Sequence, residues 1–430
     1  MKYVTRMLCS VTVAASAVTM PSLSLSADKA GYQPFPSDPV YEYPTAWSVI
    51  HDWIEKADWA KVRDHGWRLF VGANQPAPSP SDSQLRVFET WYTLPETFAA
   101  PAKLTLTADA NAVGTTPASA STNGNRKYLN RLETANYGNH AVRISPNYTS
   151  TCKFAGKRIL NNGDLMIASV YFSEEYYNHI QNNDYYSQGK LNGIWQGKPT
   201  AIENFPNESF QVKHMYWPVP QSGYAVLPVF PGYNPAPDPN APTRPVKPVN
   251  PAKYSGYETW NQAVAVTAGK TTGETMDVSY AWRDFQNVPK VNVQDFYYTQ
   301  IDQAAFDQLD KTDRCILNQS SNGVYGRDFA VGDYLITIGM HVMVREDADL
   351  KKSGLLPSAA APTEVRNTWS MQTFWFDGVI ADGGNKGRYS ANQPTKDLKP
   401  GAWNNYAMCQ SYDPVEPLEG DGKPHICSNP

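Results

Sequence analysis

The sequence predicts a mainly β protein: an antiparallel β-sandwich or jelly-roll-like body with helical decorations and long loops. Composition points there first. The 12 Trp and 26 Tyr suit pleated, half-buried surfaces, while 34 Pro and 28 Gly demand turns and interrupt long helices. The apolar runs are also of strand length, and several alternate with period two. Finally, no strand–helix–strand rhythm of parallel α/β units recurs along the chain, and no internal repeat of fixed period is visible. With 41% hydrophobic and 18% charged residues, the chain can bury a core. Its 430 residues leave room for two ordinary domains or one large β-rich body.

Taken in order, the chain opens with a basic start (Lys2, Arg6), an apolar run from Met7 to Met20, then Pro21 and small residues. This is the tripartite pattern of a secretory signal peptide over residues 1–27, with cleavage after Ser26 or Ala27, and the apolar run is short for a bilayer span. The expected location is secreted or periplasmic. No later segment approaches 18 uninterrupted apolar residues, so the chain is expected not to be embedded in a membrane. Residues 28–145 read as a helical and loop region packed on the body. Within it, 45–70 carry Trp47, Ile50, Trp53 and Ile54 at helical spacing, interrupted late by Gly66. VFETWYTLPETF then reads as a strand or short helix ending near Pro95, and 109–126 as a polar surface loop.

The body is expected over 146–430. LMIASVYF is a strand, and Ser173 caps a helix through EEYYNHI. In SFQVKHMYW, alternation puts Phe210, Val212, His214 and Tyr216 on one face and Gln211, Lys213, Met215 and Trp217 on the other. Residues 233–253 hold seven prolines, the last four at every third position, which matches the three-residue turn of polyproline II. That segment reads as a stiff spacer or loop insertion, with docking of a protein partner as the alternative. YETWNQAVAVTAG, ETMDVSYAW and VNVQDFYYTQI are strand-like, and a helical piece runs up to Cys315. GDYLITIGMHVMVRE places Ile336, Ile338, Met340, Val342 and Val344 on one apolar face, with Thr337, Gly339, His341 and Arg345 opposite. NTWSMQTFWFDG alternates too, setting Trp369, Met371, Thr373, Trp375 and Asp377 on one side.

A net charge of −4 without any Lys/Arg cluster argues against a nucleic-acid partner. Loss of Cys9 with the leader leaves Cys152, Cys315, Cys409 and Cys427. In an oxidising compartment these read as two disulfides, Cys409–Cys427 across a short turn-rich loop and therefore Cys152–Cys315. No metal site is expected, because no two cysteines have C-x-x-C spacing and no histidines are paired at short range. Nucleophile elbows, phosphate loops, dinucleotide fingerprints and C-x-x-C-H are absent too, so no cofactor is expected in this chain.

What remains is a constellation across strands: Lys213, His214, His341, Arg345 and Asp377, interleaved with Trp217, Trp369, Trp375 and Tyr216. Lys213, Trp217, His341, Trp369 and Asp377 are its ligand-binding candidates, while His214, on the other face, reads as packed. A Lys or His beside a carboxylate on a rigid sheet has a tunable pKa, and aromatic faces can stack a sugar ring or another flat ligand. Each of these residues also has a plain structural reading, as core aromatic or satisfied polar group. The expectation is that Lys213 and His341 share one face of one sheet, with Asp377 or Trp369 near the lysine and Glu203 or Glu208 as further carboxylates.

Four segments carry a resemblance: GWRLFVGANQP with VFETWYTLPETF; Phe205, Pro206, Val212, Lys213 and Trp217 in FPNESFQVKHMYW; His341 in IGMHVMV; and Trp369, Thr373 and Phe374 in WSMQTFW. In this order they are similar to a group of exported bacterial proteins described as cytochrome-c-like, whose function is poorly defined. The resemblance implies that Lys213, Trp217, His341 and Trp369 cluster, and it supplies no reaction. This chain has TFWFD where the group has a Glu–His pair or two tryptophans, and it carries no haem motif. Three functional readings follow: an exported protein binding a small organic or saccharide ligand, with or without catalysis; a secreted interaction or virulence-associated protein; and a redox accessory whose haem module lies outside this chain.

Overall fold

The computed structural model describes residues 32–56, 58–77, 85–100, 133–134, 153–154, 157–158, 167–196, 202–229, 263–271, 273–280, 283–309, 311–346, 369–377 and 402–412. The expected signal peptide, the loop expected over 109–126 and the proline-rich 233–253 segment lie outside them.

In chain order the elements are α1 (Trp47–Glu55), α2 (Trp59–Ala73), β1 (Tyr92–Thr93), α3 (Leu94–Phe98), β2 (Glu133–Thr134), β3 (Lys153–Phe154), β4 (Lys157–Arg158), β5 (Ile167–Phe172), α4 (Glu174–Asn182) and α5 (Gln188–Gln196). There follow β6 (Phe210–Val219), β7 (Ala225–Pro228), β8 (Ala263–Thr267), β9 (Thr275–Tyr280), β10 (Arg283–Asn292) and β11 (Tyr298–Gln300). The last are α6 (Gln303–Gln308), α7 (Lys311–Tyr325), β12 (Tyr334–Arg345), β13 (Trp369–Phe376) and β14 (Tyr406–Tyr412). The body is mainly β with helical decorations, as the composition and alternation predict.

The large sheet runs β1-β5-β6-β12-β13-β14, with β2 also on β5 and β11 also on β12. Strand β1 comes from the N-terminal region, which thereby supplies an edge to the body's own sheet. The smaller sheet runs β7-β8-β10-β9. Among the described residues every ladder is antiparallel except β8–β10, which is parallel, a departure from the all-antiparallel expectation. One core joins the two sheets: Phe210, Val212, Met340 and Val342 belong to the same apolar cluster as Val226, Val264 and Val291.

Helix α2 lies on the β13–β14 end of the large sheet. Phe70 stacks on Phe374 with ring centroids 4.0 Å apart, and Trp67 meets the same ring at 5.4 Å. The single helix expected over 45–70 is two, because Asp58 accepts the Lys61 N–H and starts α2 anew. Gly66 does not interrupt it. A Cβ there would stand 1.8 Å from Gln410 Nε2, so glycine at this position lets the helix approach β14. The helical piece expected to run up to Cys315 is likewise two helices, α6 ending at Gln308 and α7 starting at Lys311, and α7 runs on to Tyr325, burying Ile316 and Leu317 against Ile167, Tyr216 and Leu335.

The other correction concerns β12. Its register against β6 shifts between Thr337 and Gly339, so Ile338 is an extra residue in the ladder. A bulge reverses which side successive residues face. Thr337 accordingly shares a hydrogen bond with His214 instead of joining His341, and Ile338 is only half-buried while Ile336 is sealed in the core.

Candidate ligand-binding face

The antiparallel register places Lys213 on β6 directly opposite His341 on β12, and His341 opposite Thr373 on β13. Directly opposed residues on neighbouring strands lie about 5 Å apart, so the expected proximity of Lys213 and His341 holds. Val170 on β5 and Cys409 on β14 complete this row. Above it run Phe172, Gln211, Met343 and Met371; below it, Met215, Gly339 and Trp375. Gln211, Lys213, Met343, Met371 and Thr373 are half-buried, so this side of the sheet is less sealed than the side beneath α2.

His341 is 9% exposed. Burial first, and the Lys213 charge second, push its pKa down to about 4. At neutral pH it is therefore a neutral imidazole beside an amine, able to give or take a hydrogen bond without carrying charge.

The row above ends in an aromatic chain. Ser173 caps α4 by accepting the Tyr176 N–H, which sets that helix over the β5 end of the face. Tyr176 then packs on Phe172 at 4.6 Å and on Phe205 at 4.4 Å, and Phe205 packs on Trp369 at 5.6 Å. His179 joins Phe205 at 4.4 Å, and burial lowers its pKa. Trp369 is opposite Arg345 in the β12–β13 ladder. It is four residues from Thr373, about 13 Å along the strand, and so neighbours Arg345 and not Lys213.

Two predicted site residues take other places. Trp217 is 2% exposed, sits in the core shared by the two sheets, and donates its indole N–H to the Val226 carbonyl at 3.1 Å. It is packing. Asp377 lies four residues from Thr373 in the opposite direction from Trp369, at the far end of β13, and is 4% exposed. It does not reach the lysine row. Glu203 and Glu208 are exposed; the Glu203 carbonyl accepts from His179 Nε2 at 3.2 Å, and the Glu208 N–H donates to the Arg345 carbonyl. Cys315 and Cys409 are each disulfide-bonded. Cys152 and Cys427, their expected partners, lie outside the described residues.

One buried polar cluster escaped the sequence reading, and a second surrounds His214, which is packed as expected. His65 on α2 meets Glu346 Oε1 at 2.8 Å, and Ser370 Oγ donates to the same oxygen at 2.6 Å. Because the serine bonds the carboxylate and not the imidazole, and all three are fully buried, this is a packing network without a primed nucleophile. His214, on the α2 side of the sheet, is packed among Phe88, Tyr216 and Tyr297, and burial pushes its pKa down to about 3. His65 and Glu346 are 281 positions apart, and Phe88 and Tyr297 reach His214 from other segments of the chain, so no local motif links them. Among the described residues no group of three His, Cys, Asp or Glu could hold a metal ion, and no helix is long and apolar enough to cross a membrane.

Comparison with protein-family models, with curated proteins and with solved structures finds no match to this chain.

Proposed function

We propose that this chain is an exported ligand-binding protein, and that the face carrying Lys213, His341, Thr373 and Trp369 holds a small organic or saccharide ligand. The observation that supports it best is the register pairing of Lys213 with His341 on a partly open side of an otherwise sealed sheet. A cationic donor, a neutral imidazole and a hydroxyl in one cross-strand row match the hydroxyls and carbonyls of such ligands. The half-buried aromatic chain at the end of the face offers a flat apolar wall. Export is supported by the basic, apolar and small-residue pattern of the first 27 positions.

The test is a thermal-shift screen of the mature chain against sugars and small organic acids. A specific ligand raises the melting temperature saturably by mass action. The rise should vanish in Lys213→Ala and His341→Ala. A flat response across the panel sinks this reading and favours a secreted interaction protein.

A further inference from the structure

Arg345 is the last residue of β12 and stands on the His341 side of the sheet. It is only 5% exposed. Its backbone is satisfied: its N–H donates to Ser209, and its carbonyl accepts from Glu208 and from the Tyr43 hydroxyl. Its side chain is not. Nε is sealed from solvent without a hydrogen-bond partner, and among the described residues the guanidinium joins no ion pair. Glu208, itself one of the backbone partners, and Glu203 are in none of the ion pairs formed among the described residues. Burial alone pushes the Arg345 pKa below its ordinary value, and its positive charge in turn helps hold His179 down.

A buried guanidinium that only fills space is costly, because a desolvated charge is tolerated when it is paired and hydrogen-bonded. The planar fork of N–H donors fits a carboxylate in two-pronged fashion. The surroundings add a second feature. Trp369 lies across the ladder from Arg345, and Phe205 bridges Trp369 and His179, both aromatic residues being half-buried.

We propose that Arg345 is an anion receptor that takes the carboxylate of a small organic acid whose flat apolar body lies against Phe205 and Trp369. This rests on the reading of the face as a ligand site and narrows its occupant to organic acids. His341, about 13 Å further along β12, and its cross-strand partner Lys213 on β6 would then meet the distal polar groups of a longer ligand.

The experiment is calorimetric titration of the mature chain with benzoate, its neutral isostere benzamide, inorganic phosphate and a sugar panel. It is run on the natural protein, Arg345→Met and Lys270→Ala, an exposed lysine in the loop after β8. Benzoate should saturate and benzamide should not. Arg345→Met should weaken benzoate about tenfold or more, the effect of losing a charge-assisted pair. Lys270→Ala should leave benzoate unchanged. Ligand-free Arg345→Met should melt no lower than the natural protein, because it removes a charge without a partner; a structural arginine would lower it. A lower melting temperature with unchanged benzoate affinity overturns the proposal. Saturation by phosphate but not benzoate overturns the organic-acid assignment. Sugar binding with benzoate silent overturns the proposal and leaves the ligand face standing, whereas silence across all probes overturns both.

Discussion

Acidification should destabilise this protein through two histidines on opposite sides of one sheet. His341 and His214 have folded pKa values of about 4 and about 3, against an ordinary value of 6.5. Both are depressed, so above pH 6.5 neither state binds the proton and the histidines contribute no pH dependence. As pH falls below 6.5, the unfolded chain takes up two protons that the folded chain refuses. Each histidine then costs about 1.4 kcal/mol per pH unit until its folded pKa is reached. Between pH 7 and pH 4.5 this amounts to about 2.5 kcal/mol for each, or roughly 5 kcal/mol together. That is a large part of the 5–15 kcal/mol, roughly, that stabilises ordinary domains. The assay is urea unfolding at half-unit pH steps on the natural protein, His341→Gln and His214→Gln. Acidic groups add their own slope, so the informative quantity is the difference between curves. Each variant should lose less stability than the natural protein over this range, by about 2 kcal/mol. Parallel curves for His341→Gln and the natural protein would refute the buried, neutral state of that imidazole.

Gly66→Ala should destabilise by about 1 kcal/mol net. Overpacking against Gln410 and Met408 costs about 1–3 kcal/mol, and the better helix former returns up to about 1. Thermal melting checks it, and an unchanged or higher melting temperature would contradict the close approach of α2 to β14. Asp333→Asn should cost about 2 kcal/mol or more in urea unfolding. The Asp333 carboxylate is fully buried and accepts from Arg327, Tyr325 and the N–H groups of Gln221 and Ala330. Burial raises its pKa, but Arg327 and the other donors outweigh that and hold it below 3.8. Its contribution is therefore present above the ordinary carboxylate range and lost as pH falls through the depressed value, so the penalty of Asp333→Asn should shrink in acid. Non-reducing peptide mapping should recover Cys152–Cys315 and Cys409–Cys427; any other pairing, or four free thiols, contradicts the sequence reading.

The strands of the large sheet were legible wherever one side is apolar and the other mixed. SFQVKHMYW and WSMQTFWF are strands with the alternation read from them, and Ser173 caps its helix as its position before EEYYNHI implies. Lys213 and His341 were legible as a pair because each stands out against an apolar strand. The bulge at Ile338 was not legible, since an extra residue in a ladder leaves no mark when its side chain is apolar like its neighbours. Its effect was to misplace Thr337. Trp217 was misread because alternation assigns a side but not what covers that side, and at this end the neighbour is Val226 of the smaller sheet. Strand β14 passed unnoticed: YAMCQSY has neither a long apolar run nor clean alternation, and its pairing with β13 alone makes it a strand. Arg345 was seen as one cation among several. Its isolation is a property of the folded neighbourhood, and no spacing in the sequence encodes the absence of a partner.

The order of strands in the large sheet has a consequence for how the chain reaches this state. Its central ladder joins β6 to β12, whose His214 and Thr337 are 123 positions apart, while the smaller sheet and two helices are encoded between them. Closing so distant a pair loses chain entropy before any contact compensates, which places such topologies among the slow folders. Until Tyr334–Arg345 has emerged, β6 exposes an unpaired edge carrying Phe210, Val212 and Trp217. A chain arrested short of β12 therefore presents an aggregation-prone strand, and it depends on a holding factor or on rapid completion to avoid pairing with another copy.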